Sequence, residues 1–257
     1  MENPRAPYIG VTGFTEPGQV EFALSAFPKE SNRALMIGIL VSKGGLKGEQ
    51  NQAWFRRRVP PVDVIGQLVS SDSRALNIFH YLTDEPETLG EQLISMYGTF
   101  GPLLHGFQIN FLIWPDPENL RTFRNKFPRA RLILQITDQA FGTILGSPKR
   151  LAARLQSYRH IFTNILLDAS AGQGKALDAN FLMPFLDAIH TSGLDEYFGI
   201  TVAGGLSAST LKVLEPIVSA YPDISIDAEG RLRDMNDALD QTAVRSYLLE
   251  AATLFKS

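Results

Sequence analysis

Along its whole length the chain alternates between short runs of continuous Val, Ile, Leu and Phe and longer segments whose apolar residues recur every three or four positions. The first pattern belongs to strands covered on both faces, the second to helices with one buried stripe. Eight runs read as strands: Tyr8–Thr12, Leu35–Val41, Ala75–Tyr81, Gly106–Ile113, Arg131–Thr137, Phe162–Asp168, Phe198–Ala203 and Ile224–Asp227. Between them, Gln19–Phe27 places Val20, Ala23, Leu24 and Phe27 on one side, with Thr15 as the expected cap and Pro17 in the first turn. Asp116-Pro-Glu-Asn-Leu120, Ser147-Pro-Lys149, Asp178–His190, Ser207–Ser219 and Asn236–Phe255 continue the helical series.

Eight strand-then-helix alternations without a linker or low-complexity tract predict an α/β fold. One closed (β/α)8 TIM barrel spanning residues 1–257 is favoured over a doubly wound open sheet. The longest connection runs from Lys43 to Ser73 and contains a helix around Val62–Leu68. A connection of that length in a compact domain points to a functional segment, such as a lid, or to a disordered one.

Composition narrows the chemistry. With 44% hydrophobic residues there is ample material for one core, and a net charge of −3 gives no general attraction to nucleic acid or anionic membrane. The basic cluster Arg56-Arg-Arg58 reads as a solvated face. The absence of cysteine excludes disulfides, thiolate metal sites and thiol nucleophiles, and four histidines without His-x-x-x-His spacing argue against zinc. No metal or cofactor is expected. The amino end has no basic flank, and the longest apolar runs, such as Ala34–Val41, are too short to span a bilayer, so a soluble cytoplasmic protein is expected, as monomer or homodimer.

In a barrel the chemistry sits at the carboxyl ends of the strands. Here those ends carry Thr12, Ser42 with Lys43, His80, Asn110, Thr137 with Asp138, Asp168, Gly204-Gly205, and Asp227 with Glu229, while the strand starts are bland. Asp168 closes an Ile-Leu-Leu run, where partial desolvation suits a carboxyl group to general-acid work; otherwise it would cap the following loop. His80 reads as a base, a substrate hydrogen-bond donor or a structural residue. Gly204-Gly205 followed by a helix near Ser207 fits a phosphate cradle, with Ala228-Glu-Gly230 as its companion loop. Gly172-Gln-Gly-Lys175 lacks the spacing of a nucleotide phosphate loop; it reads as a loop over the pocket from which Lys175 reaches an anionic substrate group. Lys43 is the only strand-end lysine suited to Schiff-base chemistry.

Four segments together resemble the phosphoribosylanthranilate isomerase family. Gly10-Val-Thr-Gly13, Leu166-Leu-Asp168 with Gly172-Gln-Gly-Lys175, Val202-Ala-Gly-Gly205 and Ala228-Glu-Gly230 stand, in order, where that family carries Lys-Ile-Cys-Gly, Leu-Leu-Asp with Gly-Gly-Thr-Gly-Lys, Leu-Ala-Gly-Gly and Ser-Ser-Gly. The resemblance implies a cofactor-free barrel that converts an aminoaldose phosphate into an aminoketose phosphate. An aspartate, matched by Asp168, would open the sugar ring, and the first-strand cysteine would take the C2 proton. That cysteine is Thr12 here, and a threonine hydroxyl cannot accept a carbon-bound proton without a base beside it. Asp138, Asp227 and His80 are the candidate bases. Ser-Ser is replaced by Ala228-Glu229, a like charge beside an expected phosphate, which Arg231 or Arg233 would offset. The expected ligand is a small phosphorylated metabolite, contacted by Gly204, Gly205, Gly230, Lys175, Asn110 and Arg231. The competing expectation is a non-catalytic barrel that binds a small metabolite or a protein partner.

Overall fold

The computed structural model describes residues 3–49, 57–110, 113–168 and 176–256. Eight parallel strands close into one barrel in the order in which they occur: β1 (Tyr8–Thr12), β2 (Ala34–Ser42), β3 (Ala75–Leu82), β4 (Gly106–Ile109), β5 (Arg131–Thr137), β6 (Asn164–Asp168), β7 (Gly199–Ala203) and β8 (Ser225–Ala228), with β8 returning to pair with β1. The helices are α1 (Pro17–Ala26), α2 (Lys43–Leu46), α3 (Val62–Leu68), α4 (Leu89–Phe100), α5 (Glu118–Lys126), α6 (Asp138–Thr143), α7 (Pro148–Leu155), α8 (Ala179–Thr191), α9 (Glu215–Ala220) and α10 (Gln241–Leu254). The fold is a single-domain (β/α)8 barrel. Among the described residues no helix is long and apolar enough to cross a membrane.

Strand alternation sorts the side chains into two cores. Ile9, Val11, Ile37, Phe79, Leu134, Ile165 and Val202 face outward and pack under the helices, while Tyr8, Met36, Leu76, Ile78, Ile133 and Leu166 form a separate cluster inside the barrel. On the inner face the apolar character stops about halfway up, because the upper positions of the same strands are Thr12, His80, Gln108, Gln135, Asp168 and Asp227, all buried. Lower down, Tyr8 Oη accepts from Thr201 Oγ1 at 2.9 Å, its backbone N–H donates to Ser225 Oγ at 3.0 Å, and the Arg131 guanidinium lies 5.4 Å from its ring centre.

Local chemistry sets the helix starts. Asp178, Asp240 and Ser147 cap α8, α10 and α7 by accepting backbone N–H groups, and Asp116 Oδ1 accepts from Glu118 N at 3.0 Å ahead of α5. At α1 the expected cap is wrong: Gln19 Oε1 reaches back to Thr15 N at 2.9 Å and Glu16 N at 3.2 Å, so Glu16 precedes the helix. The helix expected over Ser207–Ser219 is also different. A turn occupies Ser207–Thr210, a 3₁₀ segment Leu211–Leu214, and α9 begins only at Glu215. Pro216 at the second position of α9 is compatible with a helix start but not with the interior of a longer helix. Phe111 and Leu112, expected within the fourth strand, lie outside the described residues, and β4 ends at Ile109.

Candidate active site

The register brings the polar strand ends to one mouth. β1 lies between β8 and β2, so the inward side chains of Asp227, Thr12 and, beyond Gly38, His80 stand side by side. The Thr12 hydroxyl, 1% exposed, sits at 3.0 Å from Asp227 Oδ1 and 3.1 Å from Oδ2. Burial pushes the Asp227 carboxyl up to about 8; the Thr12 hydrogen bond opposes the shift, and Glu229 and Asp168 add to it. A carboxyl group so placed changes protonation close to neutrality, which suits proton transfer.

Opposite, Asp168 is 4% exposed and its Oδ2 accepts from Gln135 Nε2 at 3.1 Å. Both Asp227 and Glu229 feel its charge, so three carboxyl groups share the mouth. His80 is 2% exposed, and burial drives its pKa down to about 3, so the ring is neutral at ordinary pH. Gln108 Nε2 lies 3.2 Å from His80 Nδ1 and donates to Asn110 Oδ1 at 2.9 Å. A ring held this far below the ordinary imidazole range is a weak proton acceptor. Asp138 heads α6 and is exposed to solvent, unlike the buried Thr12, His80, Asp168 and Asp227.

The β8 end is held by arginines. Arg58 grips Asp237 with Nε and Nη2, both at 2.8 Å, and places Nη1 3.0 Å from Glu229 Oε1. Arg233, its side chain 2% exposed, stands 3.5 Å from the same Glu229 oxygen and lies against Gly13 at the end of β1. Arg58 is thus a paired, half-buried residue, not part of a solvated face; its partners, 171 and 179 residues away, explain it. Val59 packs on Leu40 of β2, while the neighbouring Arg58 reaches Glu229 and Asp237 after β8. Burial raises the Glu229 carboxyl against the opposing pull of Arg233 and Arg58.

Of the expected phosphate-contacting residues, Gly204 and Gly205 adopt φ of 134° and 53°, conformations that favour glycine, at the end of β7. Gly230 opens a 3₁₀ turn after β8. The helix expected near Ser207 starts late, so α9 does not place its N-terminus directly behind Gly204-Gly205. Arg231 is exposed, Asn110 is buried, and Lys175 lies outside the described residues, as does Gly172-Gln-Gly. Lys43 pairs with Glu85. Gln108 and Gln135 are the site residues that strand-end reading misses, since each lies two residues before the polar end of its strand. Among the described residues no group of three or more His, Asp and Glu side chains is placed to hold a metal ion.

No protein-family model matches the sequence, and no curated protein matches it. Its structure is similar to that of the phosphoribosyl anthranilate isomerase of Thermus thermophilus, with a TM-score of 0.64 and 15% sequence identity over 96% of this chain and 99% of that one. The Thermotoga maritima enzyme gives 0.62 and 15% over 95% and 98%. A phosphoribosyl anthranilate isomerase in complex with reduced 1-(o-carboxyphenylamino)-1-deoxyribulose 5-phosphate gives 0.61 and 14% over 95% and 98%. At such identities the likeness establishes the barrel, traced almost end to end in both partners.

Proposed function

We propose that this barrel is a proton-transfer enzyme, an intramolecular aldose–ketose isomerase or close relative, acting on a phosphorylated sugar-like substrate. The observation that carries the reading is the buried Thr12–Asp227 pair. Thr12 stands where the resembled family has its proton-abstracting cysteine, and it cannot do that work. The adjacent Asp227 can, with a carboxyl pushed up to about 8.

In this reading Asp168 delivers its proton to the ring oxygen as the C1–O bond breaks, and Asp227, ionised, takes the proton from C2. Ring opening is driven by the lone pair of the amine or hydroxyl on C1, which forms a double bond to C1. The C2–H pair then becomes a C1=C2 bond while that double-bond pair returns to the heteroatom. Loss of the C2 hydroxyl proton with protonation of C1 completes the aldose-to-ketose shift. Thr12 holds the Asp227 carboxylate in place. The substrate phosphate would sit against the backbone of Gly204, Gly205 and Gly230, with Arg231 and Lys175 as further candidate contacts.

One observation favours the other class, a barrel that binds without catalysis. Glu229 already occupies the guanidinium groups of Arg58 and Arg233 at the β8 end, and a phosphate arriving there must compete with it. Proton exchange separates the two. Incubated in D2O with a panel of aldose phosphates and N-substituted aminoaldose phosphates, the wild-type protein is expected to exchange the C2 hydrogen of at least one, and Asp227→Asn to abolish the exchange. Binding without exchange for every member would overturn the enzymatic reading. Rescue of a tryptophan auxotroph lacking the isomerase would show that the standard substrate is also accepted.

A further inference from the structure

Three buried polar atoms at the mouth have no hydrogen-bond partner among the described residues: His80 Nε2, Gln108 Oε1 and Gln135 Oε1. Buried polar groups are rarely left unpaired, because each gives up its hydration with nothing in return. All three lie on the inner face of adjacent strands β3, β4 and β5, near the carboxyl ends.

Their chemistry is set by the partners they do have. Gln108 Nε2 spends its two hydrogens on Asn110 Oδ1 and His80 Nδ1. His80 Nδ1 is thereby the acceptor, and the proton of the neutral ring resides on Nε2. That nitrogen faces Gly38 and Thr12. A Cβ added to Gly38 would lie 3.0 Å from His80 Nε2 and 2.4 Å from Thr12 Oγ1, so only a bare glycine lets the two polar groups come this close over its backbone. The residues around the ring on β1, β2 and β4 are Thr12, Gly38, Leu40, Gln108 and Asn110, none of which titrates. Gln135 Nε2 is likewise engaged by Asp168, which leaves its oxygen as an acceptor only.

We infer that His80 is a fixed N–H donor to the substrate oxygen that gains negative charge as Asp227 removes the neighbouring carbon-bound proton, and that Gln108 Oε1 and Gln135 Oε1 accept from two substrate hydroxyls. One donor and two acceptors in a row select a polyhydroxy carbonyl compound over a deoxygenated or aromatic one. A preorganised neutral donor of this kind stabilises the developing oxyanion without giving up its own proton. The inference rests on the proton-transfer reading for the identity of the oxygen, but not for the tautomer.

The test has two arms. Nitrogen-15 NMR of the ring in the intact protein is expected to show the Nε2–H tautomer, unchanged between pH 5 and 9. An Nδ1–H ring, or one that gains a proton in that range, overturns the inference whatever the enzyme does. In the exchange assay His80→Leu is expected to lose about 100-fold in kcat with little change in KM. His80→Gln, which keeps an N–H donor, is expected to recover at least a tenth of wild-type kcat with the wild-type pH profile. Full activity in His80→Leu overturns the inference, as does a pH limb lost in His80→Gln. The expected tautomer together with a wild-type protein that exchanges nothing would instead count against the proton-transfer reading.

Discussion

The Thr12 hydroxyl donates to the Asp227 carboxylate across the seam where β8 meets β1, with both carboxylate oxygens within 3.1 Å. Closing the barrel creates this pair, since the two residues are 215 positions apart. Thr12→Val keeps the shape and removes the donor. That hydrogen bond favours the ionised form, so its loss is expected to move the base's apparent pKa further up and to lower activity at pH 7 about tenfold. Activity at pH 9 should be less affected, as a pH–rate profile of the two proteins will show.

Asp227 also links stability to pH. Its folded value of about 8 lies above the 3.8 of the free side chain, so between those limits the native protein holds a proton that the unfolded chain has released. The stability present at low pH is therefore lost at about 1.4 kcal/mol per pH unit as pH rises through the window, and levels off above about 8. Asp227→Asn lacks this loss. Denaturant melts are expected to show the variant more stable than wild type at pH 8, by roughly 3–5 kcal/mol, and nearly equal to it at pH 4.

Glu229 is expected to oppose phosphate binding. In Glu229→Ser, Arg58 and Arg233 lose a shared carboxylate and can turn to an anion, so calorimetric affinity for inorganic phosphate is expected to rise at least about fivefold. The same change leaves the buried Arg233 less well compensated, at a cost of about 1–3 kcal/mol. Unchanged phosphate affinity would mean that the β8 loop is not part of the ligand site.

Gly38→Ala tests the close approach of Thr12 and His80 over β2. The added methyl meets the Thr12 hydroxyl at 2.4 Å and the His80 ring at 3.0 Å, so side chains on β1 and β3 must shift. Overpacking of this kind costs about 1–3 kcal/mol, and kcat/KM is expected to fall by about two orders of magnitude because both polar groups are displaced. A variant with normal kinetics and a lowered Tm would show that the glycine serves packing alone.

The eight strands were legible because burial on both faces leaves continuous apolar runs, and Asp168, Thr12, His80 and Asp227 because they end those runs. α4 was not: Leu89, Leu93 and Met96 have helical spacing, but Gly90 and Gly98 interrupt it and Thr88 makes no side-chain cap bond. Gln108 and Gln135 stayed hidden because only barrel closure shows that alternate residues near the strand ends face inward. The arginine network was invisible for a different reason. Arg58 looks solvated in a run of three arginines, and its carboxylate partners lie in the last quarter of the chain. Among the bases, sequence left Asp138, Asp227 and His80 level; exposure sets Asp138 apart, burial neutralises His80, and Asp227 is the one bonded to Thr12.

The most direct test of the account is a carbon-13 NMR titration of the aspartate carboxyl groups, with Asp227→Asn identifying the signal. A midpoint for Asp227 near 8 is the predicted result. A midpoint near 4, in the ordinary carboxylate range, would contradict the claim that a buried Thr12–Asp227 pair supplies the proton acceptor at the mouth of this barrel.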